Sequence, residues 1–145
     1  MTMKIDARRM PIYQYVHSLF YKKVTNSIFP IEIPTGLDDK EKSKGFMVIR
    51  MGNIRDKSEF DLNAYATVRV TVEMYIPPKT RGRVNDTAYS EAEEKITSII
   101  ENEIETPTGK YSISSDGILS TDTIYDENDN MFFVYMKSFV VSITN

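Results

Sequence analysis

The chain has 145 residues, a net charge of −3, 41% hydrophobic residues and no cysteine. That length makes one domain, able to bury about two-thirds of the surface its unfolded chain exposes, with no need of a covalent staple. The missing thiols exclude disulfide scaffolds, zinc–thiolate centres and thiol nucleophiles in one step.

Charge is segregated along the chain. Residues 79–83 carry Lys79, Arg81 and Arg83 without an acid, whereas residues 86–105 carry seven acids against Lys95 alone. A bipolar surface of this kind suits oriented contacts between proteins. The opening MTMKIDARRMPIYQYVHSLF is interrupted by charges and the longest apolar runs are only a few residues. The chain therefore reads as soluble and made in the cytoplasm, with no signal peptide or membrane span.

Ile12, Val16, Phe20, Val24 and Ile28 recur every four residues, with Tyr13 and Leu19 widening the stripe. This predicts a helix over residues 8–27, ended by Pro30 and Pro34. Residues 35–44, TGLDDKEKSK, hold three acids and three lysines with one large apolar residue and read as an exposed, mobile loop. FMVIRMGNI, residues 46–54, is strand-like, and RDKSEFDLN links it to the next strand as a hairpin.

In AYATVRVTVEMYI, residues 64–76, Ala66, Val68, Val70, Val72, Met74 and Ile76 form one apolar face. Tyr65, Thr67, Arg69, Thr71, Glu73 and Tyr75 form the other, so Arg69 and Glu73 are expected on the less buried side. At about 3.3 Å per residue the strand reaches about 43 Å, against about 35–40 Å for a compact chain of this size. It spans its own domain and carries a basic loop, residues 77–87, out beyond it.

Ala88, Ala92, Ile96, Ile100 and Ile104 again step by four, with Ile99 beside them, predicting a second amphipathic helix. Ser90 and Glu93 have capping-box spacing, and Asp86 or Thr87 could equally supply the cap. Pro107 and Gly109 stop it. KYSISS and GILSTDTIY are strand-like, and MFFVYMKSFVVSI, residues 131–143, is a terminal strand apolar on both faces, so it is central or covered twice. The polar DENDN between them reads as a hairpin turn. The order gives an α+β fold: an antiparallel sheet with an N-terminal helix, a second helix inserted between strands, and a long protruding strand and loop.

The usual chemistries lack their members. His17, the single histidine, has no second His or Cys to build a metal or nucleophile site with and reads as structural. Asp126, Asn128 and Asn130 reproduce the start of a calcium loop, but Met131 stands where glycine is needed and Lys137 where a bidentate Glu belongs. Glu91, Glu93, Glu94, Glu101, Glu103 and Glu105 have no partner that would make them acid–base pairs and read as a solvated face. Gly52, Gly82 and Gly117 are isolated, so no phosphate-binding loop is present. No catalytic residue, metal ligand or cofactor site is assigned. KTRGRV, residues 79–84, has three readings: an ordinary loop, a docking finger for an acidic protein surface, or a phosphate contact.

RRMPIYQYVHSLFYKKV at the start, YATVRVTVEMYIPP in mid-chain and SEAEEKITSIIENEI after it together resemble the small tail-terminator and head–tail joining proteins of tailed bacteriophages. The likeness is one of plan and covers most of the chain. It implies a non-enzymatic subunit of a sixfold or twelvefold ring in the virion neck, made in the host bacterial cytoplasm. Its partners would be further copies, portal, adaptor or tail proteins, and non-specific DNA in the lumen, with no membrane. The assembly residues would be Lys79, Arg81 and Arg83 on the loop, with Glu91, Glu94 and Glu101 on the acidic helix of the next subunit as counter-surface. The other reading is a small α+β binding or regulatory module that contacts nucleic acid or a ligand through its sheet.

Overall fold

A computed structural model describes residues 7–30, 45–56, 64–80, 83–107, 109–125 and 131–144. In chain order they form α1 (Arg9–Phe20), β1 (Ile28–Pro30), β2 (Phe46–Met51), β3 (Arg55–Asp56), β4 (Ala64–Ile76), α2 (Asp86–Glu105), β5 (Tyr111–Tyr125) and β6 (Met131–Thr144). The six strands make one sheet in the order β1-β2-β4-β6-β5, with β3 paired to β4. The fold is α+β, with an N-terminal helix and a second helix between strands. Every pairing is antiparallel except β1 with β2, which is parallel. The expected loops at 35–44 and 126–130 lie outside the described residues.

Period-two patterning makes β4 the spine. Ala66, Val68, Val70, Val72, Met74 and Ile76 are all buried on one face. They meet Ile12, Val16, Leu19 and Phe20 of α1 and Ala92, Ile96 and Ile100 of α2 in one core. Both helices thus cover the same side of the sheet. β6 is central, between β4 and β5, as its two apolar faces require. On the side away from the helices Phe46 stacks on Tyr75 at 4.8 Å, and Phe132 stands edge-on to both at 5.3 and 6.1 Å. Val48 and Val134 complete this second cluster.

Several expectations are corrected. α1 ends at Phe20 instead of running to residue 27, because Lys22 turns into the left-handed region at φ 64° and breaks the ladder. Ile28 and Pro30 belong to an edge strand, where proline's missing N–H costs no ladder bond. The cap of α2 is Asn85, whose side-chain oxygen accepts the Ala88 N–H at 3.1 Å, rather than Ser90, Asp86 or Thr87. Residues 86 and 87 consequently belong to the helix and not to the basic loop.

Ile104, expected in the core stripe, is 38% exposed, and Glu103 is buried in its place. Steps of four residues gain about 40° each, so a row that starts at Ala88 has turned well off the core by residue 104. A final step of three returns to the core direction at Glu103. Finally, KYSISS and GILSTDTIY are one strand with a register shift between Ser115 and Leu119. Gly45 enters β2 at φ 83°, where an added Cβ would lie 2.7 Å from the Tyr75 carbonyl oxygen.

The register of β4 is directly testable. Val70→Asp places a charge in a fully buried site and should cost more than about 4 kcal/mol, leaving no cooperative melt. Arg69→Ala, on the exposed neighbour, should cost less than about 1 kcal/mol by the same thermal scan. A larger loss from Arg69→Ala would mean the strand faces the other way.

Candidate functional site

β4 delivers the basic segment to one end of the sheet. Pro77 and Pro78 are half-buried, and the chain then folds back: Arg83 N–H donates to the Thr80 carbonyl at 2.9 Å and Lys79 N–H to the Arg83 carbonyl at 3.1 Å. These two bonds make a closed reverse turn whose flanks are Lys79 and Arg83, both exposed. Arg81 and Gly82 lie outside the described residues. Val84 and Asn85 then lead directly into α2.

The acids of α2 divide. Glu91, Glu94 and Glu101 are exposed, and with Ser98 and Glu105 they fall within one stripe of about 80° on the outer surface of the helix. Among the described residues, no ion pair engages Lys79, Arg83, Glu91, Glu94 or Glu101. The molecule carries a basic turn and an acidic stripe that do not satisfy each other.

Two carboxylates are buried: Glu103, expected on the solvated face of the helix, and Glu73, expected on the less buried side of β4. Glu103 accepts a hydrogen bond from the Tyr15 hydroxyl at 2.5 Å, joining α2 to α1, while Tyr15 packs on Tyr111 of β5 at 4.7 Å. Burial, then the Glu103 carboxylate, pushes the Tyr15 phenol well above its ordinary value. Glu73 lies on the expected face of β4 but is only 7% exposed. Its Oε1 accepts from Arg50 Nε at 2.9 Å and from the Tyr75 hydroxyl at 3.1 Å. Beside it the Thr71 and Ser138 hydroxyls share a 2.8 Å bond. Both networks tie one element to another: Glu103 joins α2 to α1, and Glu73 joins β4 to β2 through Arg50.

At the other end of α1, Arg9 donates to the Gly52 and Met51 carbonyls at 2.8 and 3.4 Å, and Arg8 pairs with Asp56 at 2.6 Å. Two arginines disfavour a helix N-terminus, and these pay for their place by pinning α1 to the β2–β3 link. Arg9, Met10, Tyr13, Pro30, Ile49 and Met51 line an apolar cleft of about 150 Å³ there. His17 sits between the Tyr13 and Tyr21 rings at 5.8 and 5.1 Å. Among the described residues no group of His, Asp and Glu could hold a metal ion, and no helix is long and apolar enough to cross a membrane.

Sequence reasoning missed Glu103, Glu73 and the cleft. The first two had a signal: Glu103 stands three residues after Ile100, and Glu73 shares a strand face with Tyr75. Compared with protein-family models and with curated proteins, the chain finds no match.

Tyr15→Phe should leave the Glu103 carboxylate buried without that donor, costing about 1–3 kcal/mol and lowering the melting temperature by about 3–10 °C. Alkaline stability supplies a second check. Burial, then the neighbouring Glu73 carboxylate, pushes the Tyr75 phenol up to about 12, above the ordinary value of a free tyrosine. The folded state therefore holds this proton where the unfolded chain releases it, so stability is intact below about pH 10 and declines as pH rises towards 12. Tyr75→Phe should make that decline shallower in a series of melts from pH 8 to about 12.

Proposed function

We propose that the chain is a non-enzymatic structural protein that assembles into a ring in the neck of a tailed bacteriophage virion, in the manner of a head–tail connector or tail terminator. The observation that carries this reading is the unmatched charge on one rigid body. Lys79 and Arg83 stand on a closed turn at the end of β4, and Glu91, Glu94 and Glu101 line the outer surface of the helix that follows. Two complementary patches at different places on one subunit suit a head-to-tail contact, and head-to-tail contacts generate rings when the rotation between subunits closes. The order of helix, long strand, turn and acidic helix supports it by plan. Portal, adaptor or tail proteins above and below the ring, and DNA passing through its lumen, would be the further partners.

A second reading has its own observation. The apolar cleft beside Arg9 and Tyr13 would suit a small binding module that takes an apolar ligand group with a polar end against the arginine.

Exposed charge pairs contribute only about 0.2–1 kcal/mol each, so one substitution does little while a contact repeated round a ring accumulates. Replacing Lys79, Arg81 and Arg83 together by glutamate should leave the melting temperature within about 2 °C of the parent while blocking incorporation into particles. Normal incorporation overturns the assembly role. Binding of the parent to duplex DNA that falls steeply with salt would assign the turn to phosphates, and no such binding assigns it to protein.

A further inference from the structure

A second cavity, of about 200 Å³, lies where the link after α1, the end of β4 and the start of α2 converge. Its apolar lining comes from Val24 on the link, Met74 and Ile76 on β4, and Ala88 and Ala92 on α2. Met74, Ile76 and Ala92 are buried. Its polar lining is Asn85, Glu91 and Lys95. Glu91 and Lys95 are both exposed and stand four residues apart, the spacing at which glutamate and lysine on a helix reach each other. Among the described residues no ion pair joins them. The Asn85 side-chain oxygen is committed to the Ala88 N–H at 3.1 Å, which leaves its amide N–H groups as the donors it can offer.

We propose that this cavity is a binding site for a free α-amino acid with an apolar side chain of the size of leucine or methionine. Charge decides the class of ligand. A carboxylate in the lining opposes a purely anionic ligand and an ammonium opposes a purely cationic one, whereas a molecule with both charges on one carbon satisfies both. Volume decides its size. An apolar cavity of about 150 Å³ takes benzene and pockets for drug-sized molecules begin at about 300 Å³, so this one suits a ligand of about ten heavy atoms or fewer. The ligand ammonium donates to Glu91, its carboxylate accepts from Lys95 and the Asn85 amide, and its side chain enters among Val24, Met74 and Ile76.

The site does not rest on the ring reading. It uses the flank of α2 that carries Ala88, Ala92 and Lys95, with Glu91 at the margin where that flank meets the acidic stripe, and Lys79 and Arg83 take no part in it.

Isothermal titration calorimetry of the full chain should show L-leucine or L-methionine filling one site. L-leucinamide, which lacks the carboxylate, and 4-methylpentanoate, which lacks the ammonium, should each bind about tenfold or more weakly than leucine. Lys95→Gln should weaken leucine about tenfold while leaving leucinamide where it was, a split that a merely structural role for Lys95 would not produce. Ala88→Leu, which fills the cavity from a half-buried position and changes no charge, should abolish binding; with the basic turn and the acidic stripe untouched, it should leave incorporation into particles as it is. If that variant does not fold, shifts of the Met74 and Ile76 methyl resonances of the parent on titration with leucine locate the site. No binding of either amino acid up to about 10 mM overturns the proposal. So does 4-methylpentanoate binding as tightly as leucine, leucine binding undiminished in folded Ala88→Leu, or leucine binding that leaves both methyl resonances unmoved.

Discussion

From Ala64 opposite Thr144 to Ile76 opposite Phe133, β4 and β6 stay paired along almost their whole length, with one irregularity near Ala66. Each is the other's neighbour at the centre of the sheet, and each buries side chains on both faces. A slip of one residue would turn Val68, Val70 and Val72 away from the helices and Arg69 towards them. The seating of both helices, the entry of β2 beside Tyr75 and the position of the basic turn all follow from that register. It also sets the direction in which the chain leaves β4, and hence where Lys79 and Arg83 stand.

The buried acids show how much polar material this core admits and on what terms. Glu103 is held where α1, α2 and β5 converge, with Tyr15 donating to it and Tyr111 against Tyr15. Glu73 is held by Arg50 from the adjacent strand and by Tyr75 from its own. A buried carboxylate is costly unless its oxygens are met, and both are met by groups from elements that must dock for the bond to exist. Such networks make the packing of the two layers specific to one arrangement.

The exposed charges follow the opposite logic. Glu91, Glu94 and Glu101 lie along a helix whose other side is committed to the core, and the turn at Lys79–Arg83 is closed by its own backbone. Neither patch can swing to the other within one subunit. Opposite charges fixed apart on one subunit can be met only from another body, and it is on this that the proposed assembly rests.

Alternation and helical period were legible in the residues alone. They placed β4 at Ala64–Ile76, left β6 either central or covered on its second face, located both helices, and set the α+β order, because apolar period follows directly from which face each residue must bury. They also placed Lys79, Arg83, Glu91, Glu94 and Glu101 at the surface, since isolated charges stay in water. The tertiary structure decided the rest. A row of apolar residues at every fourth position does not say where the helix stops, and α1 stops at Phe20, before the left-handed Lys22, because the chain must turn to lay Ile28 beside Met47. Whether a carboxylate is solvated or buried depends on what comes to meet it from elsewhere in the chain. Tyr15 meets Glu103 across 88 residues and Arg50 meets Glu73 across 23, separations at which no local pattern in the sequence carries the pairing.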